Sequence, residues 1–137
     1  MRRTSAWAAR ARTARAIGLL CAARVLVALV PFRLWRSALG SAADARDCAE
    51  LALVRCLVAH IERAAWRLPF AVKCLPRAMA LSWQLRRRAI HHRIVFAVRP
   101  PGARRGDDTL HAWIECGGQV VLGALPGPWL EVHAQPG

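Results

Sequence analysis

The feature that most constrains the fold is a helix-forming segment, from Cys74 to Arg88, that is apolar on almost every face. Proline favours the first helical position, where it forfeits no hydrogen bond, so Pro76 predicts a helix start with Cys74 at its mouth. The apolar side chains that follow are Leu75, Ala78, Met79, Ala80, Leu81, Trp83 and Leu85. A helix with so small a polar face is normally covered by neighbouring elements. We therefore expect it to lie at the centre of the fold.

Two further helices are predicted before this one. Residues 5–30 form a basic, alanine-rich helical pattern that Pro31 ends. A second helix is expected to run to Arg67, because its apolar residues recur at spacings of three and four. Between these helices, residues 35–39 suit a short helical turn, and Ser41 with Asp44 resembles a capping box.

The pattern changes to strands after the central helix. Residues 94–98 are a continuous apolar run, which predicts a strand buried on both faces. Residues 110–116 and 119–122 predict a hairpin that turns at Gly117 and Gly118. We therefore expect one α+β domain in three parts. A basic apolar helical region spans 1–40, a core spans 41–125, and an irregular tail spans 126–137.

The formal net charge is +13 and comes almost entirely from arginines spread along the chain. Such a spread is typical of a composition bias, yet it also attracts nucleic acid, anionic lipid or acidic peptide. A basic nucleic-acid- or membrane-surface-binding module without catalysis is therefore one function class to test. The apolar run at 16–32 carries Arg24 and is shorter than the roughly 20 residues that span a bilayer. It predicts an amphipathic helix of the domain, with targeting or peripheral membrane contact as the alternative.

The five cysteines show no zinc-type spacing, and their odd number suits a reducing, cytoplasmic location. Cys56 and His60 lie one helical turn apart without a third ligand nearby, which favours packing over a metal site. The basic cluster from Arg86 to Arg93 suits a solvated helix end, with phosphate or acidic-peptide binding as the alternative. No metal or cofactor is predicted.

Cys74 and His111 are the candidate catalytic residues. The positive end of a helix dipole favours a thiolate, and Lys73 adds to that field. An imidazole on a neighbouring strand supplies the base and the acid that a cysteine nucleophile needs. On that strand, His111, Trp113 and Glu115 share one face. The alternative is that both residues simply pack in the core.

A third group normally orients the imidazole. A two-residue turn pairs His111 with Ala124, and a one-residue bulge pairs it with Gly123 instead. Neither residue has a side chain that could orient a ring, and Glu115 is roughly 13 Å along the strand. The remaining candidates are Asp107, Asp108, Glu131, a backbone carbonyl and a water molecule.

Two motifs carry a family resemblance. They are Cys74-Leu75-Pro76-Arg77-Ala78-Met79-Ala80-Leu81, preceded by Arg67-Leu68-Pro69, and His111-Ala112-Trp113-Ile114-Glu115, followed by a glycine turn. In this order, with the arginine run between them, they resemble the lasso-peptide leader peptidases, the B proteins of lasso peptide biosynthesis. That family has a transglutaminase-like, papain-type fold. The resemblance covers residues 50–125.

The resemblance implies a bacterial, cytoplasmic cysteine protease that cleaves a precursor peptide at its leader-core junction. Cys74 is then the nucleophile and His111 the base, while the aspartate of the family falls near Gly123. The implied partners are an ATP-dependent, asparagine-synthetase-like lasso cyclase and a separate leader-recognition protein, because residues 1–70 lack the strands of a winged-helix recognition domain. No cofactor and no specific nucleic acid are implied. Transglutaminase-type acyl transfer uses the same site and stays an alternative.

Overall fold

The computed structural model describes residues 2–31, 34, 50–103 and 110–136. The helices in these ranges are α1 (Arg2–Leu29), α2 (Leu51–Arg67) and α3 (Cys74–Arg86), with a short 3-10 turn at Pro101–Ala103. The strands are β1 (Arg93–Val98), β2 (Leu110–Cys116), β3 (Gln119–Leu122) and β4 (Leu130–Pro136). The expected α+β fold is confirmed. The helical turn expected at 35–39 and the capping box at Ser41 lie outside the described residues.

Helix α1 packs against both α2 and α3. Its buried face repeats at three and four residues and consists of Thr13, Ala16, Leu20 and Ala23. Small side chains at three of these four positions allow the helices to approach closely, and Leu20 enters the core shared with the sheet. On the exposed side, the Arg24 guanidinium carbon lies 3.9 Å from the centre of the Phe70 ring. No helix among the described residues has the length and apolar character needed to cross a membrane.

Helix α3 is the buried centre that its apolar sequence predicts. Met79, Leu81 and Leu85 are at most 1% exposed. The helix begins at Cys74, with Lys73 as N-cap, so Pro76 is the third helical residue and not the first. Proline is tolerated there because the N–H groups of the whole first turn lack an intrahelical acceptor. Cys74 is thus inside the helix start instead of just before it.

The end of α3 requires an unusual backbone conformation. Ala89 has φ +54°, in the left-handed region. The Ile90 N–H donates to Leu85 O and the Ala89 N–H donates to Arg86 O, both at 3.0 Å. These two bonds form a Schellman cap, in which glycine is the usual left-handed residue.

The four strands form an antiparallel sheet in the order β3-β2-β1-β4. On β1, residues 94–97 are all buried, which confirms the prediction of a strand covered on both faces. The prediction of an irregular tail at 126–137 is wrong over Leu130–Pro136, which form β4 and pair with β1. The β4 backbone satisfies the hydrogen-bonding groups of β1, whereas Leu130 and Val132 stay exposed, so no apolar pattern marks the strand.

The hairpin between β2 and β3 contains a bulge that the turn alone does not predict. Cys116 pairs with Gln119, as a two-residue turn requires, but Ile114 pairs with Leu122 because β3 has one extra residue. This shift places Gly123 against the backbone of Trp113. The predicted pairing of His111 with Ala124 or Gly123 is therefore wrong.

Candidate active site

Cys74 is the first residue of α3, a free thiol and only partly buried. Lys73 makes no side-chain cap, so the first-turn N–H groups are not satisfied by the N-cap residue. Unsatisfied N–H groups and the positive end of the helix dipole attract negative charge. The start of α3 therefore offers a thiol beside backbone donors suited to a negatively charged oxygen.

His111 is held in one orientation by the backbone. It is 7% exposed, and its Nε2 lies 2.5 Å from the carbonyl oxygen of Gly123. A carbonyl only accepts, so Nε2 carries the proton and donates it. In the neutral ring, Nδ1 is then unprotonated and able to accept a proton. No hydrogen bond from a described residue occupies Nδ1.

Gly123, which supplies this carbonyl, has a backbone that disfavours any other residue. Its φ is +87°, and a Cβ added there would lie 3.0 Å from Ala112 O and 3.1 Å from Trp113 Cβ. Both values are shorter than normal carbon contacts. The position where the resemblance expects an aspartate thus presents a neutral main-chain acceptor, one of the alternatives named from the sequence.

Two tryptophans cover the imidazole of His111. The Trp113 ring centre is 5.9 Å away, and the Trp129 ring is stacked at 5.2 Å with 30° between the planes. The Arg99 guanidinium carbon lies 4.2 Å from the Trp129 ring centre. Trp129 was missed in the sequence because it stands in a Gly- and Pro-rich segment. A single large aromatic residue in such a segment is the signal that marks it.

Glu115 and Glu131 are both engaged with Arg93. Glu115 accepts from Arg93 Nη2 at 2.6 Å and from Trp113 Nε1 at 2.9 Å. Glu131 lies 3.6 Å from Arg93 Nη2. The hydrogen bonds that Arg93 donates to Glu115 raise the pKa of Arg93, so its guanidinium stays charged. Glu131 is therefore not the group that orients His111, and Asp107 and Asp108 lie outside the described residues.

The elements that carry Cys74 and His111 are packed together, because α3 contacts β2. Ala112 and Ile114 belong to the core that the helices share. On the other face of β2, Trp113 contacts both His111 and Glu115, as the alternation predicts. Among the described residues, no hydrogen bond joins Cys74 Sγ to His111. The structure therefore brings the two elements together without a direct polar contact between the two side chains.

Cys56 and His60 have partners of their own. His60 Nδ1 lies 3.0 Å from the Thr13 hydroxyl, and Cys56 Sγ lies 4.0 Å from Arg12 Nη1. Burial and then the nearby Arg63 and Arg12 lower the pKa of His60. Within the described ranges, no three His, Cys, Asp or Glu side chains are grouped as metal ligands.

The basic cluster predicted between Arg86 and Arg93 is divided by the fold. His92 is fully buried, and its Nδ1–H donates to Ile90 O at 2.9 Å, so Nε2 accepts from the Ser82 hydroxyl at 2.7 Å. Burial lowers the pKa of His92, which keeps the ring neutral. Because Arg93 is paired with Glu115 and His92 is buried, this end of the segment does not join the arginines at the other end in a common anion site.

A cysteine at the start of a central helix and a histidine held in one orientation on the adjoining sheet are the residue types that cysteine peptidases and acyl transferases use. The chain matches the family model of the Transglutaminase-like superfamily over residues 4–134. It belongs to that superfamily. The match is wider than the lasso-type resemblance at 50–125 and includes both α1 and β4. No curated protein and no solved structure matches the chain.

Proposed function

We propose that the protein is a cysteine peptidase that removes the leader from a lasso-peptide precursor. The observation that carries this proposal is the hydrogen bond from His111 Nε2 to Gly123 O, which leaves Nδ1 as the proton acceptor. A general base needs one ring nitrogen that can accept a proton, and this hydrogen bond assigns that role to Nδ1. Cys74 at the start of α3 supplies the thiol, and the motifs around both residues resemble the lasso leader peptidases.

The proposed reaction has two steps. The Cys74 sulfur attacks the carbonyl carbon at the leader-core junction, while His111 Nδ1 takes the thiol proton and passes it to the departing core amine. Water then attacks the thioester, with His111 as base, and releases the leader carboxylate. Backbone N–H groups at the start of α3 stabilise the negative oxygen in both steps. The proposal requires substrate binding to bring Cys74 Sγ and His111 Nδ1 together, because the structure, which describes both residues, has no hydrogen bond between these two side chains.

The proposed partners follow from this role. A separate leader-recognition protein presents the precursor. The regular elements that the structure describes before α3 are the helices α1 and α2, whereas a winged-helix recognition domain also needs strands. An ATP-dependent, asparagine-synthetase-like lasso cyclase consumes the freed core. Both partners and a bacterial cytoplasmic setting are part of the proposal.

The test is cleavage of a precursor by the purified protein in the presence of recognition protein and cyclase, followed by mass spectrometry. Cys74→Ala and His111→Ala are expected to abolish release of the leader. Cys56→Ala is the matched control, because this cysteine is also partly buried but lies on α2. Unchanged cleavage in Cys74→Ala would refute the assignment.

Acyl transfer is the second candidate, because the superfamily match fits it as well as proteolysis. It uses the same Cys74 thioester and differs only in the acceptor. Adding a primary amine to the cleavage reaction separates the two. A product whose mass shows an amide to the added amine favours acyl transfer, and a free carboxylate favours proteolysis.

A further inference from the structure

A basic cleft lies between α1 and α2, away from Cys74 and His111. Its volume is about 160 Å³, and it is lined by Ala9, Arg10, Thr13, Arg63 and Arg67. Three arginines thus line a space several times larger than the roughly 30 Å³ that one water occupies in the liquid. That space suits a side chain that carries one carboxylate.

The three arginines of the cleft lack carboxylate partners among the described residues. Glu62, the acidic residue of α2, is instead paired with Arg77 at 3.0 Å. The positive charge around the cleft is therefore not balanced by an acidic side chain of the described residues, and an anion that enters the cleft supplies that balance.

Two exposed tryptophans lie on the two helices that form the cleft. Trp66 precedes Arg67 on α2 and is 87% exposed, and Trp7 is one turn before Arg10 on α1 and is 72% exposed. Large exposed aromatic residues beside arginines are the typical anchors of protein interfaces. The same surface therefore combines apolar contact area with positive charge.

We propose that this cleft is a docking site for an acidic peptide segment. A glutamate or aspartate carboxylate binds between the guanidiniums, which are built for two-point contact with a carboxylate. An apolar neighbour of that residue packs on Trp66 or Trp7. The site is separate from the candidate active site, so the proposal stands whether or not the protein cleaves peptides.

The shape of the cleft favours a peptide over the other anionic partners. Nucleic acid binding draws on a series of phosphate contacts along a strand. A membrane surface is contacted by a broad amphipathic face, not by a concave space. The cleft instead gathers three arginines around one small space, and exposed tryptophans lie on the same two helices, which suits a peptide side chain with an apolar neighbour.

The binding test uses a fluorescein-labelled peptide of alternating glutamate and leucine and measures its fluorescence anisotropy. The same peptide with glutamine in place of glutamate is the control ligand and is expected not to bind. The triple variant Arg10→Gln, Arg63→Gln and Arg67→Gln is expected to bind the acidic peptide about tenfold more weakly or worse.

A charge-matched variant separates the cleft from the overall charge. Arg15→Gln, Arg55→Gln and Arg87→Gln also remove three exposed arginines, none of which lines the cleft. This variant is expected to keep the affinity within about twofold. Equal losses in the two triple variants would overturn the proposal, because they would show non-specific attraction.

Two further measurements complete the test. The single variant Arg67→Gln, at an exposed position, is expected to weaken binding with an unchanged circular dichroism spectrum. A DNA duplex and vesicles with phosphatidylglycerol are titrated in parallel. If either binds more tightly than the acidic peptide and loses affinity in the cleft variant alone, the cleft serves that partner and the proposal is wrong.

Discussion

Replacing Gly123 by alanine tests whether the backbone of this residue is what holds His111. The alanine side chain meets two separate obstacles. The residue has φ +87°, and its new Cβ would lie 3.0 Å from Ala112 O and 3.3 Å from Trp113 Cα. Both neighbours are backbone atoms of β2, so neither can rotate aside. We expect β3 to move away from β2 and to carry the carbonyl away from His111.

The expected loss in the free energy of unfolding has a backbone part and a crowding part, which comparison with Gly118 separates. Gly118 also has a positive φ, +74°, but has open space at its Cβ position. The left-handed conformation alone costs an alanine roughly 1 to 2 kcal/mol, and this cost applies at both positions. Crowding at Gly123 adds about 1 to 3 kcal/mol. Gly123→Ala should therefore reduce the free energy of unfolding by about 2 to 5 kcal/mol, and Gly118→Ala by about 1 to 2 kcal/mol.

Urea denaturation of the two variants and the wild type measures these differences, and precursor cleavage measures the effect on the site. Gly123→Ala is expected to lose cleavage under conditions where the protein remains folded, whereas Gly118→Ala keeps it. The same stability loss in both variants would refute the crowding argument. Full cleavage by a folded Gly123→Ala protein would refute the role of this carbonyl in orienting His111.

Three other predictions concern the α3 cap, a buried histidine and the aromatic cover. Ala89→Gly should stabilise the protein by about 1 kcal/mol in urea denaturation, because glycine adopts φ +54° without strain. An unchanged free energy of unfolding would contradict the left-handed cap. Because the folded pKa of His92 is below the unfolded value of 6.5, its contribution to stability is complete above pH 6.5 and falls as acid protonates the unfolded chain first. Thermal melts should show a smaller loss of stability between pH 7 and pH 5 in His92→Gln than in the wild type. Equal losses of stability would show that His92 does not cause this pH dependence. Trp129→Ala should destabilise the protein by about 1 kcal/mol through the lost stack on His111, whereas Trp66→Ala, at 87% exposure, should have almost no effect on the same melts.

The central helix and the main strands could be predicted because their patterns are local. The apolar surround of α3 and the proline in its first turn were enough to place Cys74 at a helix start. The run at residues 94–97 predicted a doubly covered strand for the same reason. Alternation along β2 placed His111 and Trp113 on one face, and their ring contact shows this arrangement.

The missed features depend on contacts between distant parts of the chain. β4 is an edge strand whose Leu130 and Val132 stay exposed, so its pairing with β1 leaves no pattern in its own sequence. The extra residue of β3 shifts the pairing between Val120 and Leu122, and a turn-based count has no means to detect it. For the same reason, the sequence named a backbone carbonyl only as one of several ways to orient His111.

The carbonyl of Gly123 also affects how such a site is recognised in a sequence. Every residue has a main-chain carbonyl, so the carbonyl itself leaves no mark in the sequence. The contact depends instead on glycine at this position, because a side chain there would prevent the backbone from turning. A search pattern that requires an acidic residue after the histidine strand rejects this chain. A pattern that accepts a glycine in its place, one residue beyond a bulged strand, retains it. The third member of the candidate site is therefore marked in the sequence by a glycine, the one residue that has no Cβ.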